Sequence, residues 1–163
     1  MNSTEPQSAS TASTTLTTVK IHPPLLAGAL LLVTLLLHFM LPEARNVGWY
    51  QVIGLLLVAV GVGVCVFAAA IFQARDTTRK PWGEPTTFVV LPPYTWTRNP
   101  MYLGVTTTLF GFAIFFASIA MLPAPAVFFA VIDRIVIPRE EETMERLFGQ
   151  DYVAYKDRVR RWI

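Results

Sequence analysis

Three stretches of this 163-residue sequence contain no charged side chain: 23–41, 49–72 and 101–132. A helix that crosses the hydrocarbon core of a bilayer needs about 20 mostly apolar residues. In lipid, only structures that satisfy every backbone polar group internally can span. The first two stretches fit one helix each. The third is too long for one and carries Pro123 and Pro125 near its middle. Proline lacks a backbone donor and disfavours the helical conformation at the residue before it. The stretch therefore divides into helices over 101–121 and 124–138, joined by a tight turn. The expectation is an all-α integral membrane protein with about four transmembrane helices, over 23–41, 49–72, 101–121 and 124–138. The last is short or tilted and closes a C-terminal helical hairpin.

Composition agrees. Hydrophobic residues make up 53% and charged residues 15%, against roughly 25% charged in ordinary soluble domains. A chain this small keeps too much surface to hide such an apolar excess in a water-soluble core. A net charge of +2 is too weak to argue for a nucleic-acid partner. The single cysteine, Cys65, excludes an intrachain disulfide and a cysteine-based zinc site. His22 and His38 do not have metal-ligand spacing, and no metal is expected. Gly-rich phosphate loops, HExxH and GxSxG patterns are absent, which argues against ATPase, metalloenzyme and hydrolase readings. Residues 1–20, rich in Ser and Thr, read as a disordered tail ahead of one membrane domain over 21–163.

Lys and Arg counts orient the spans. With four spans, Lys20, Arg75, Arg79, Lys80, Arg98, Arg139, Arg146, Lys156, Arg158, Arg160 and Arg161 fall on one side, and Arg45 alone on the other. Both termini and the 73–100 loop are therefore expected in the cytoplasm. Glycines mark close helix approach. Gly54 and Gly61 are seven apart, as are Gly104 and Gly111, while Ala59 and Gly63 are four apart.

Polar residues gather in two segments, 86–104 and 133–163, both at the cytoplasmic ends of the last two helices. The hairpin makes those helices neighbours, so Arg98–Tyr102 should lie close to Glu140–Glu142. Arg98 is a fork suited to a carboxylate or phosphate, or else a topology anchor. Pro100 fits the first turn of a helix. Tyr94, Trp96 and Tyr102 suit either stacking on a flat ring or anchoring at the headgroup level. The glutamates offer charge to an amine or sulfonium, or else form a solvated helix start. An anion end, a cation end and aromatic walls together suit a zwitterionic nucleoside. Asp133 and Arg134 sit at the edge of the last span, where ionisable groups pair or line cavities. His38 and Cys65 read as packing residues. The basic tail with Trp162 suits anionic headgroups.

The block Thr87-Phe88-Val89, Pro93-Tyr94 and Arg98-Asn99-Pro100-Met101-Tyr102-Leu103-Gly104 resembles the isoprenylcysteine carboxyl methyltransferase and phospholipid methyltransferase superfamily. Its members carry a Leu-Val stretch, Gly-x-Tyr, Arg-His-Pro-x-Tyr-x-Gly, a helical hairpin and a Glu-Glu pair. The tail is similar too: Glu140-Glu141, Phe148-Gly149, Tyr152, Tyr155 and Val159-Arg160-Arg161-Trp162. The likeness covers about half the chain. Three positions differ: Asn99 replaces the family's His, Pro92 its Gly, and Val136 an Arg that lies one turn before the cofactor Glu in prenylcysteine members.

The resemblance implies a membrane enzyme that uses S-adenosylmethionine in a cytoplasm-facing pocket and methylates a lipid-like or prenylated acceptor among membrane lipids. It implies cofactor contacts at Thr86, Thr87, Phe88, Val89, Tyr94, Asn99, Pro100, Met101, Tyr102 and Glu140. It gives catalytic roles to Arg98, Tyr102 and Glu140. Arg134 or Arg139 would stand in for the missing substrate arginine. Glu141 or Asp133 would assist an amine acceptor. Two rivals remain: an NADPH-dependent membrane reductase of the sterol-reductase type, and a small non-catalytic membrane scaffold.

Overall fold

The computed structural model describes residues 21–41, 48–74 and 90–163. The expected tail over 1–20 and the contacts assigned to Thr86, Thr87, Phe88 and Val89 lie outside the described residues. Everything regular among the described residues is helical: α1 Pro23–Met40, α2 Tyr50–Ala74, α3 Pro100–Phe115, α4 Pro123–Val131, α5 Ile137–Phe148 and α6 Gln150–Arg158. A short 3-10 turn, Ile119–Met121, precedes α4, and a π turn, Ile132–Val136, joins α4 to α5. Three stretches are long and apolar enough to cross a membrane: Pro23–Met40, Tyr50–Ile71 and Ile119–Phe148. At 1.5 Å per residue α1 is about 27 Å long, close to the thickness of a hydrocarbon core. Helix α3 is apolar but shorter.

Its early end departs from the expected helix over 101–121. Ala117 takes φ 47°. Its N–H bonds Ile114 O at 2.9 Å, and the Ser118 N–H bonds Ala113 O at 3.1 Å. This pair of bonds is a Schellman cap. Alanine fills the left-handed position that glycine usually takes, so the sequence carries no visible stop signal there.

The last helix departs in the opposite sense. Pro138 does not end it. Proline cannot supply the i→i−4 hydrogen bond and its ring crowds the preceding turn. The π turn immediately before it widens the helix, with the Ile137 N–H bonding Ile132 O, five residues back. One extra residue in a turn rotates everything beyond it by about 100°, which sets the direction of α5 side chains.

Helices α2 and α3 mesh through their glycines. A Cβ on Gly61 would sit 2.5 Å from Gly104 O, and one on Gly54 would sit 2.8 Å from Gly111 O. The seven-residue repeats on the two helices thus interlock, antiparallel, in two steps. Gly63 has nothing within 4 Å and takes no part in that interlock. On the other side of α3, Leu109, Phe128, Ile132 and Ile137 form the main core, with α1 and Trp162 packed against it. His38 is buried at 3% exposure and stacks edge-on with Phe39 and near Phe116, a packing histidine. A smaller core of Tyr152, Tyr155 and Val159 sits under α6.

Candidate active site

Two chain segments build the site by pinning each other. The first leads into α3. A turn over 92–96, containing the cis Pro92–Pro93 peptide, places Tyr94 in the interior. The second is the C-terminal strap after α6. Gly149, at φ 53° and ψ −128°, separates α5 from α6 in a conformation that only glycine adopts without strain. Chain reversal at Gly149 then brings the strap back to α3. Backbone and side chains zip the two together. Arg98 N–H donates to Arg160 O at 2.9 Å. Thr97 Oγ1 and Asn99 Nδ2 both donate to Arg161 O, at 2.9 and 3.0 Å. The Tyr155 hydroxyl donates to Tyr94 O at 2.6 Å in a buried contact.

Charged side chains cluster where these segments meet α5. Tyr102 on α3 donates its hydroxyl to Glu140 Oε1 at 2.6 Å. Glu140 is exposed, whereas Glu141 is buried at 7% exposure. Neighbours on a helix point about 100° apart, so the pair divides its work. Glu141 Oε1 lies 3.3 Å from Arg98 Nη2, and its Oε2 lies 2.8 Å from Arg161 Nη2. Arg161 Nη1 also reaches Asp133 Oδ1, at 3.3 Å. The same Asp133 oxygen accepts from Trp162 Nε1 at 2.9 Å. The proximity of Arg98–Tyr102 to the glutamates, expected from the hairpin, is present.

The electrostatics follow from the pairing. Arg98 and Arg161 balance Asp133 and Glu141. Glu140 stands apart from these ion pairs, with the Tyr102 phenol as its partner. Hydrogen bonding to Glu141 raises the Arg161 guanidinium, which stays charged. Burial pushes the Tyr152 and Tyr155 phenols up to about 12 and raises Tyr94 as well. Arg98 Nε and Nη1 are buried and form no hydrogen bond among the described residues.

Other expected site residues fall into three groups. Asn99 anchors the strap backbone, and Pro100 is buried at the start of α3. Met101 O accepts a 3.3 Å contact from Cys65 Sγ, tying α3 to α2. Arg134 is 83% exposed and pairs with Asp133 at 3.6 Å. Arg139 is also exposed, and its backbone carbonyl accepts from Thr143 Oγ1 at 2.9 Å. The Trp162 indole packs 4.7 Å from Phe129 and donates its Nε1–H to Asp133 Oδ1 at 2.9 Å. Sequence reasoning gave Arg161 no site role. The only signal was its place in the tail motif, because nothing local reveals which carboxylate a C-terminal arginine meets.

Comparison with known proteins bears on this architecture. A family model described as phospholipid methyltransferase matches residues 49–151, from α2 through the glutamate pair. The chain is 29% identical over 126 residues to the Protein-S-isoprenylcysteine O-methyltransferases of Homo sapiens and Mus musculus, covering 72% of this chain and 42% of each relative. An uncharacterized protein of Haemophilus influenzae is 33% identical over 63 residues, 39% of this chain and 100% of its own length. The chain thus spans about two fifths of the length of the curated methyltransferases it matches. No solved structure matches. With the matched stretch containing α2, α3, the π turn and both glutamates, the chain belongs to the phospholipid methyltransferase family.

Proposed function

We propose that this protein transfers a methyl group from S-adenosylmethionine to a lipid-like acceptor at the cytoplasmic face of a membrane. The carrying observation is the juxtaposition of Glu140, an exposed carboxylate held by Tyr102 at 2.6 Å, with Arg98, whose Nε and Nη1 are buried and unbonded among the described residues. These fit the two charged ends of the methyl donor: a sulfonium or amine beside Glu140, and a carboxylate on Arg98.

When bound, S-adenosylmethionine supplies an already activated methyl group. The protein's contribution is then placement and exclusion of water. Glu140 offers negative charge to the cationic end, and Tyr102 fixes its rotamer. Arg98 offers the unbonded donors Nε and Nη1. Tyr94 and the buried Pro100 form walls. Asp133 and Glu141 both accept from Arg161, so neither is a spare base. That supports an acceptor that arrives deprotonated, such as a carboxylate, and agrees with the O-methyltransferase names of the relatives.

An apolar cleft of about 240 Å³ between α1, α2 and α3, lined by Leu31, Cys65, Val105 and Leu109 among others, supports an acceptor with a hydrocarbon chain. Val105 is one turn beyond Tyr102, so the cleft runs beside the charged cluster. The cytoplasmic orientation rests on the Lys and Arg asymmetry. A single domain over 21–163 is part of the same reading. The test is equilibrium binding of S-adenosylmethionine and NADPH to the purified full chain, with Glu140→Ala as control. Saturable binding of the methyl donor, weakened at least tenfold in the variant, is expected. Binding of NADPH instead would overturn the reading in favour of a reductase.

A further inference from the structure

Methyl transfer gives roles to Arg98, Tyr102 and Glu140 but none to the buried carboxylate beside them. Arg161 grips both oxygens of Glu141, Nε on Oε1 at 3.3 Å and Nη2 on Oε2 at 2.8 Å, and Arg98 Nη2 shares Oε1 at 3.3 Å. Arg161 is held in turn by Asp133 at 3.3 Å, and Asp133 by the Trp162 indole at 2.9 Å. The chain of contacts therefore runs from the C-terminus to Arg98 without a break. Backbone bonds from Arg98, Thr97 and Asn99 to Arg160 and Arg161 reinforce it.

This arrangement holds Arg98 by one nitrogen only. Its Nε and Nη1 are buried and unbonded among the described residues. Buried donors without acceptors are costly, and a planar guanidinium presents two adjacent N–H groups in a fixed fork. Nη2 is common to both bidentate edges of a guanidinium, so Nε and Nη1 point apart and each is a separate donor open to a single acceptor oxygen. Arg161 is 33% exposed, so its Coulomb attraction is partly screened. What it supplies is geometry: a shared carboxylate restricts both long side chains at once.

We propose that Glu141 and Arg161 are positioning residues: the C-terminal strap, acting through Arg161 and the Glu141 carboxylate, fixes the Arg98 guanidinium so that its unbonded Nε–H donor is held ready for an anionic group of the ligand. This rests on the proposed reading of the site as a pocket for a ligand with a carboxylate. The family match ends at residue 151, so Arg161 lies beyond it.

Two measurements on the full chain in detergent test the proposal. The first needs no ligand. In protein labelled with nitrogen-15 arginine, the Arg98 Nε–H signal is identified by its loss in Arg98→Lys, and its ordering is read from relaxation. Arg161→Ala is expected to disorder that signal. Arg158→Ala, whose exposed side chain bonds Ala154 O on its own helix, is expected to leave it unchanged. The second is a double-variant cycle on S-adenosylmethionine binding. Arg161→Ala should raise Kd about tenfold alone, but by less than about twofold in an Arg98→Ala background. Arg161→Lys should recover part of the loss. If Arg161→Ala does not fold, Glu141→Gln, of the same shape but without the charge, takes its place in both.

An undisturbed Arg98 signal, or equal losses in both backgrounds, would overturn the positioning role. If the wild-type chain binds no S-adenosylmethionine, the proposed function fails, while the Arg98 signal still decides whether Arg161 holds that side chain.

Discussion

Gly61→Ala is the most informative packing perturbation. A Cβ at this position would lie 2.4 Å from Thr108 Oγ1, 2.5 Å from Gly104 O and 2.8 Å from Thr108 N. The Thr108 side chain can turn aside. The other two atoms are backbone of α3, so the helices themselves must part, by roughly 1 Å if normal contacts are to return. Overpacking of this kind costs about 1–3 kcal/mol. Replacing a helical glycine with alanine returns up to about 1 kcal/mol of propensity. The net expectation is a loss near 1–2 kcal/mol, or a fall in Tm of roughly 2–8 °C for a chain of this size. Gly63→Ala is the matched control, since its Cβ would meet nothing within 4 Å. It should be neutral or slightly stabilising. The consequence reaches the site, because Gly104 faces Gly61 and lies two residues beyond Tyr102. A displacement of about 1 Å at reacting groups can cost 100-fold in rate. The assay is thermal unfolding of both variants in the same detergent, followed by methyl-donor binding. If Gly61→Ala melts with or above Gly63→Ala, the interlock of α2 and α3 is not as tight as the argument requires.

Three further outcomes are expected. Ala117→Gly should raise stability by about 0.5–1 kcal/mol, because relief of the left-handed alanine exceeds the added unfolded-state entropy; an unfolding curve that moves down would refute the Schellman cap. Tyr102→Phe removes the 2.6 Å bond to Glu140, and a hydrogen bond to a charged group is worth about 1.5–3 kcal/mol. Donor binding or kcat/KM should therefore drop roughly 10- to 100-fold, and unchanged values would remove Tyr102 from the site. Tyr155 titrates in the folded protein at about 12, above its ordinary value near 10. The neutral phenol is the form favoured by folding, so its stabilisation is complete below pH 10 and fades as pH rises towards 12. Alkaline unfolding followed by absorbance should show that decline, and Tyr155→Phe should lessen it, leaving the share of Tyr152.

Much of this molecule is written in the pattern of its charges. The charge-free runs locate α1 and α2, and Pro123 marks the start of α4. The hairpin then places Tyr102 beside Glu140 without any tertiary information. What stayed hidden depends on contacts between distant residues. Ala117 gives no glycine signal at the end of α3. Pro138 looks like a stop until the π turn before it is seen. Equal spacing of Gly54, Gly61, Gly104 and Gly111 suggests close approach, but not which glycine meets which backbone. Arg161 looks like any basic tail residue, and only the chain reversal at Gly149 brings it to Glu141. The two adjacent glutamates are indistinguishable in sequence. Helical geometry leaves Glu140 exposed and buries Glu141 between arginines.

The most direct test of the central claim is transfer of labelled methyl from S-adenosylmethionine to an S-farnesylcysteine peptide or a phospholipid, by wild-type chain and by Glu140→Gln. The account predicts label in the acceptor, incorporated as a base-labile ester for the carboxylate, and a steep loss in the variant. Label transfer that is undiminished in Glu140→Gln, or no transfer by chain shown to bind the donor with any carboxylate- or amine-bearing lipid, would contradict it.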